Sequence, residues 1–224
     1  MSVDKDLLDS ISAALPDTIT PSLKVTGSSS DLFEAFTFTL VLIAAQREGA
    51  AVSFRGPDDK PTSQFIFRTS PGYIWSKQQN YTFAVIEFLN ADPLEAHLGV
   101  RVSGKSRVLH EFDVSVIYRS EAVTCRSAHV HPRQSRVVIG TECKFCTSSL
   151  SLGLARSFIG LGVDTTVKNN FFVTNTSSPS VEKLLSANKR QWANEVYPGA
   201  SVALERQINA FQIVFKDFKA KYRG

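Results

Sequence analysis

Two short apolar segments with acids at alternate positions restrict this chain more than any other feature. The first is His110-Glu111-Phe112-Asp113-Val114-Ser115-Val116-Ile117, and the second is Val137-Val138-Ile139-Gly140-Thr141-Glu142-Cys143-Lys144-Phe145. Both are rich in β-branched residues, which suit strands. Side chains two apart on a strand share a face. Glu111 and Asp113 then lie on one face, and Glu142 and Lys144 on one face. If the strands pair, three carboxylates and one ammonium converge at a single edge. Such a cluster is costly to maintain unless a cation or a reaction uses it. The leading expectation is therefore a metal-dependent phosphodiesterase site.

The rest of the chain reads as helices around these strands. Asp4 to Leu15 predicts a short amphipathic helix stopped by Pro16, and Thr18 to Ser30 is polar and turn-rich. A strong helix follows, with Ser30 as the expected N-cap, Glu34 in its first turns and Gly49 at its end. Strands are expected at Ala51 to Arg55, Phe65 to Arg68, Tyr81 to Leu89, 108–118 and 136–145, while Glu95 to Val102 is ambiguous. Arg119 to Ser135 is polar and predicts a hairpin extension or irregular loop. Leu150, Leu154, Phe158 and Leu161 recur at helical spacing. Phe171 to Thr174 reads as a buried strand, and Val181 to Trp192 as a helix. About Val202 to Tyr222, Leu204, Ile208, Phe211, Phe215 and Phe218 form one stripe of a last helix. At 224 residues, with no visible repeat or linker, residues 1–224 suit a single domain. The order of elements predicts an α/β fold, a mixed central sheet flanked by helices.

Phosphodiester cleavage needs an in-line water and charge relief on the phosphate. Hard divalent cations supply both and prefer carboxylate ligands. A lysine beside them can orient the water or stabilise developing charge. Asp113 on one strand, then Glu142-Cys143-Lys144 on the next, 29 residues further on, then a helix, has this layout.

The arrangement resembles the PD-(D/E)xK, or restriction-endonuclease-like, nuclease superfamily. Asp113 matches the acid of its first motif, with Phe112 in place of the eponymous proline. Glu142 and Lys144 match the second motif. The resemblance covers about residues 31–175 and implies a restriction-endonuclease-like core, with helical additions at both ends. It implies Mg²⁺ or Mn²⁺ as cofactor, Asp113 and Glu142 as metal ligands and Lys144 as the residue that positions the water. Glu34 sits where many members carry a supporting glutamate, on the helix before the core sheet. Arg156 is the best match to the polar residue that follows the second motif. Glu111 is a candidate further ligand. The activity implied is hydrolysis of DNA, with defence against foreign DNA as one role. Double-strand cleavage implies a homodimer or higher oligomer. The alternatives are a catalytically silent binding module of the same fold, and an effector subunit that needs an activating partner or ligand.

Other signals are weaker. Cys143-x-x-Cys146, with Cys125, His129 and His131, hints at zinc but lacks a second close pair, so buried thiols are the better expectation. Gly99 to Ser106 fits a phosphate-loop pattern formally, yet strand-like residues surround it, and a hairpin turn is expected. Arg101, Lys105, Arg107, Arg119, Arg126, Arg133 and Arg136 concentrate near the proposed site, and Lys105 and Arg107 are candidate phosphate contacts. The net charge of +4 is compatible with a polyanionic partner. No apolar run is long enough to span a membrane, no secretory signal is expected at the acidic N-terminus, and three cysteines suit a reducing, cytoplasmic setting.

Overall fold

A computed structural model of the chain describes residues 3–21, 28–68 and 70–222. Its centre is a seven-stranded mixed sheet: β2 (Ala51–Arg55), β4 (Phe83–Glu87), β5 (Leu94–Ser103), β6 (Leu109–Tyr118), β7 (Val137–Lys144), β8 (Asn170–Thr174) and β9 (Gln191–Ala193), in that spatial order. From β2 to β7 the pairings are antiparallel, and β7 to β9 are parallel. The remaining strands, β1 (Thr20–Pro21) and β3 (Gln64–Phe65), form a small parallel pair of their own.

Helices cover the sheet. On one face lie α1 (Val3–Ala14), α2 (Ser29–Arg47) and α6 (Ser201–Ala220), which share a core with β5 to β8. The α2 helix is apolar nearly all round, with Phe33, Phe36, Phe38, Val41 and Leu42 among its buried residues. A helix of that kind belongs between other layers. The expected stripe on α6 is present: Ile208, Phe211, Phe215 and Phe218 are buried, and Leu204 packs at the edge. Elsewhere, α4 (Leu152–Thr165) and α5 (Pro179–Ala187) pack on Phe172 and Trp192.

Several boundaries differ from the sequence reading. The α2 helix is capped by Ser28, not Ser30: the Ser28 side chain accepts from the Asp31 N–H at 3.3 Å, and the Ser28 N–H donates to the Asp31 carboxylate at 2.8 Å. The reciprocal pair needs an acid at the third helical position, which Ser28 has. Gly49, at φ +85°, lies just past the end as expected. Residues 119–135 are not a loop throughout, because Arg119–Ala128 forms α3. Of its buried residues only Ala122 and Cys125 are apolar, which leaves no periodic stripe to read. The expected helix to Trp192 ends at Ala187, and Gln191–Ala193 joins the sheet as β9. Of Phe65 to Arg68 only Phe65 lies in a strand, and Glu95 to Val102 lies wholly within β5. Of the turn-rich stretch Thr18 to Ser30, residues 22–27 lie outside the described residues.

Besides Ala122 and Cys125, which pack with Val100, Val102 and Ile117, charges fasten α3 to the sheet. Glu95 on β5 is 0% exposed and accepts hydrogen bonds from Arg119 at 2.6 Å and from both terminal nitrogens of Arg126 at 2.7 Å. His97 Nε2 lies 2.9 Å from the same carboxylate. Asp59 caps Arg119 from the far side at 2.8 Å. Arg133 pairs with Glu121, and Arg136 lies over the Tyr118 ring. Four of the seven cations noted between residues 101 and 136 are thus committed within the fold.

Candidate functional site

The β6–β7 ladder stops at Val114 opposite Thr141, although both strands continue. Beyond that point β7 keeps its parallel pairing with β8, through Glu142 opposite Phe172 and Lys144 opposite Thr174. The strands β6 and β7 therefore diverge, and the candidate residues stand in the fork. Asp113 bridges it: one carboxylate oxygen, Oδ2, accepts from the Cys143 backbone N–H at 2.6 Å. A side chain here takes the place of the next ladder acceptor, which satisfies a buried donor.

Lys144 lies between the two acids. Its Nζ is 2.8 Å from Glu142 Oε1 and 3.4 Å from Asp113 Oδ2. Cys143, between Glu142 and Lys144, is buried in the core on the opposite side, as strand alternation expects.

Glu111 reaches the cluster across an irregularity. Leu94, Ala96, Leu98, Val114 and Val116 pack in the α2 core, whereas Val100, Val102 and Phe112 pack with Ile74 on another cluster. The paired strands β5 and β6 turn over between Leu98–Val114 and Val100–Phe112. Gly99 sits at the turnover, opposite Asp113, at φ +55°, a conformation that a side chain would strain. A Cβ at Gly99 would meet Glu111 Oε1 at 3.5 Å. The simple alternation that put Glu111 and Asp113 on one face is interrupted, yet both act on the same charges.

The electrostatics show a surplus of acid. Burial, then the charges of Asp113 and Asp31, push Glu34 on α2 up to about 9. Burial, then Asp113 and Glu142, push Glu111 up to about 7. Burial also raises Asp113, and burial with the Asp113 charge raises Glu142, although Lys144 opposes both shifts. Burial works against the Lys144 ammonium, but Asp113 and Glu142 outweigh it and hold Lys144 above the usual lysine range. An ion pair normally lowers its acid. Here one ammonium serves four carboxylates, so the acids stay raised while the lysine rises too.

Glu34, Glu111, Asp113, Glu142 and Lys144 thus act on one another. Sequence reasoning missed two partners. The Cys143 N–H becomes a donor only because the strands diverge. Asp31, which helps raise Glu34, carried a signal in the Ser-x-x-Asp spacing from Ser28. The other candidates stand apart. Lys105 and Arg107 are exposed at the tip of the β5–β6 hairpin, roughly 15–20 Å from Asp113 along the strand. Arg156 is exposed on α4. Of the formal phosphate-loop match, Gly99 to Ser103 lie in β5 and only Gly104 to Ser106 belong to that hairpin's turn. His110 is taken by Asp164, with Nε2 at 2.6 Å from its carboxylate.

A hard divalent cation fits the donor set in kind, since the donors are carboxylate oxygens carrying uncompensated charge. In this conformation an ammonium separates Asp113 from Glu142, and among the described residues no three acidic, histidine or cysteine side chains converge at metal-ligand spacing. All three cysteines are free, and Cys125 and Cys143 lie in different core clusters.

The acid surplus has a measurable consequence. Glu34 is raised in the folded state, so below its unfolded value of 4.5 it is protonated in both states and carries no penalty. As pH rises above that value, folding increasingly requires a proton to be held or a repelled charge to be buried. Glu34→Gln is expected to raise the melting midpoint in EDTA by roughly 5 °C at pH 8 and by little at pH 5. Equal shifts at both pH values would show that repulsion is not the cause.

No protein-family model matches the chain, and no curated protein or solved structure matches it either. Among the described residues no helix is long and apolar enough to cross a membrane.

Proposed function

We propose that the chain is a Mg²⁺- or Mn²⁺-dependent nuclease that hydrolyses DNA, built on a restriction-endonuclease-like core. The observation that carries this reading is the fork itself. An acid from β6 and a Glu-x-Lys from β7 meet where the strands part, with Lys144 bonded to both acids. Asp113, Glu142 and Glu111 are the residues that would hold the ion. A bound divalent cation supplies charge relief at the scissile phosphate and a more acidic water. Lys144 keeps its proton at neutral pH, so it serves as a hydrogen-bond donor that holds the attacking water, not as a base. Glu34, raised by the same cluster, supports the site as a proton holder. Water adds to phosphorus, one P–O ester bond breaks, and the departing oxygen takes up a proton.

One observation favours a second form of this reading, an effector silent until a partner or ligand acts. Lys144 lies between Asp113 and Glu142, and an ion held by both carboxylates needs that ammonium to swing aside. A homodimer or higher oligomer suits double-strand cutting, since each fork supplies one site.

The test is cleavage of plasmid and linear DNA with Mg²⁺, Mn²⁺ or EDTA, beside a Glu142→Ala, Lys144→Ala double variant. Metal-dependent cutting by the wild type, lost in the variant, is the expected result. Cutting that persists in EDTA or in the variant would sink the assignment. A folded wild type that cuts nothing would shift the reading to the silent effector or to a binding module.

A further inference from the structure

A polar cavity lies beside the fork. It has a volume of about 380 Å³, and its walls include Arg68, Tyr73, Gln78, Gln79, Tyr81 and Arg101. Arg68 is the built part. It is 8% exposed, and its guanidinium carbon lies 3.7 Å from the centre of the Tyr81 ring. Gly72 also lies against it: a Cβ there would fall 1.5 Å from Nη1, so the guanidinium would have to move. Nη2 donates to the Tyr73 carbonyl at 3.2 Å, and Nε is buried with no hydrogen-bond partner. Tyr81 is fixed in turn, donating to the Ile74 carbonyl at 2.7 Å.

Neither Arg68 nor Arg101 takes part in an ion pair among the described residues. A guanidinium does not shed its proton in a protein, so burying one without an anion is costly. Arg119 and Arg126, by contrast, have Glu95. Arg68 is held in place by contacts that neutralise nothing. Arginine's planar fork matches phosphate oxygens in pairs.

Aromatic rings adjoin the two cations. Arg101 lies over Tyr73, 5.4 Å from its ring centre. Tyr73 stacks on Trp75 with centroids 4.8 Å apart and planes at 9°, and His131 packs against both. Tyr73 is 40% exposed, and exposed aromatic rings are platforms for bases. The loop that carries the cavity is tied to the turnover in β5: the Gly72 N–H donates to the Gly99 carbonyl at 2.8 Å, and the Arg101 N–H donates to the Gly72 carbonyl at 3.2 Å. A Cβ at Gly99 would touch Ser70 O at 3.4 Å and Glu111 Oε1 at 3.5 Å. The cavity and the carboxylate fork flank the same residue.

We propose that this cavity is a nucleotide phosphate site, in which Arg68 and Arg101 hold the phosphate and Tyr73 supports the base. A free nucleoside monophosphate and the phosphorylated end of a DNA strand share this chemistry. The site requires binding alone and stands whether or not the fork cleaves DNA.

Calorimetric titration in EDTA at fixed salt tests it, with inorganic phosphate, dAMP, and a ten-nucleotide strand with or without a 5′-phosphate as probes. The wild type, Arg101→Gln and Tyr73→Ala are compared, with melting curves confirming that each is folded. Saturable binding that requires the phosphate is expected, weakened about tenfold or more by Arg101→Gln. Tyr73→Ala should weaken dAMP about fivefold or more and leave inorganic phosphate alone. Binding of dAMP as tight as that of the phosphorylated strand assigns a free nucleotide, and binding of the phosphorylated strand alone assigns a strand end. Three outcomes overturn the proposal: no saturable binding of any phosphate probe, equal binding of the unphosphorylated strand, or full affinity in folded Arg101→Gln.

Discussion

Glu95→Ala is expected to lower folding stability by about 3–5 kcal/mol at pH 7, a fall of roughly 10 °C in melting midpoint. The reason is arithmetic of charge. Glu95 is fully buried and accepts from Arg119, Arg126 and His97. Without it the Arg126 guanidinium, whose side chain is 11% exposed, keeps as ion partner only Asp59 at 3.8 Å, beside the Phe83 ring beneath it. A buried pair is weak support when complete, but losing one partner strands the other. The wild type carries the same information in its acid limb. Burial alone would raise Glu95, but hydrogen bonds from Arg126 and His97 outweigh it and hold the carboxyl at about 2. Its folded value lies below the unfolded 4.5, so its contribution is complete above pH 4.5 and is lost as pH falls through 2. Over that window the wild type should lose about 3 kcal/mol that Glu95→Ala no longer has to lose. Urea denaturation of both proteins from pH 2 to 7 measures this directly. A penalty under about 1 kcal/mol at pH 7, or parallel acid limbs, would mean that α3 is held by something else.

The same network shows why α3 escaped sequence reading while the fork did not. The strands that carry Asp113, Glu142 and Lys144 announce themselves through Val114, Val116, Val138 and Ile139, side chains whose burial makes the strand and whose alternation places the acids. Helix α2 is equally plain, because Phe33, Phe36, Val41 and Leu42 leave it no face to expose. Helix α3 is anchored by Arg119 and Arg126, residues that read as solvated until Glu95, 24 residues before Arg119 in sequence, is seen between them, and by Glu121, whose partner is Arg133. Strand β9 is three residues long and depends on pairing to β8 rather than on its own composition. The turnover at Gly99 was likewise hidden, since only the φ of +55° and the change of core reveal it. Apolar periodicity is written locally, and charge pairing across the sheet is not. The Arg101-to-Arg136 cluster illustrates the cost: on sequence grounds its seven cations could not be told apart as phosphate contacts or a solvated sheet rim, and the fold itself engages four of them, Arg119, Arg126, Arg133 and Arg136.

Lys144→Met is expected to separate two jobs performed by one ammonium. If Lys144 holds the attacking water, DNA cleavage should fall by on the order of 10²–10³-fold, the effect of deleting one preorganised donor at a reacting centre. Its second job is to offset the acids of the fork, and this one needs no substrate. Lys144 lies above the usual lysine range, so it is charged throughout pH 5–8 and its own titration does not enter that window. Glu111, pushed up to about 7, does enter it, and Asp113 and Glu142 are raised in the same direction. All three are already raised with the ammonium present, and without it they rise further. Protonation relieves their repulsion at low pH, and the penalty returns as pH rises through their folded values. The variant measured in EDTA should therefore approach wild-type stability at pH 5 and fall behind progressively toward pH 8. Lys144→Arg restores the charge but replaces a compact, swivelling donor with a rigid fork. It should recover most of the stability at pH 8 and little of the cleavage. Stability loss that ignores pH would remove the charge-offset role, and cleavage retained in Lys144→Met would remove the water-holding one. The two readouts come from different states of the protein, so either role can fail without taking the other with it.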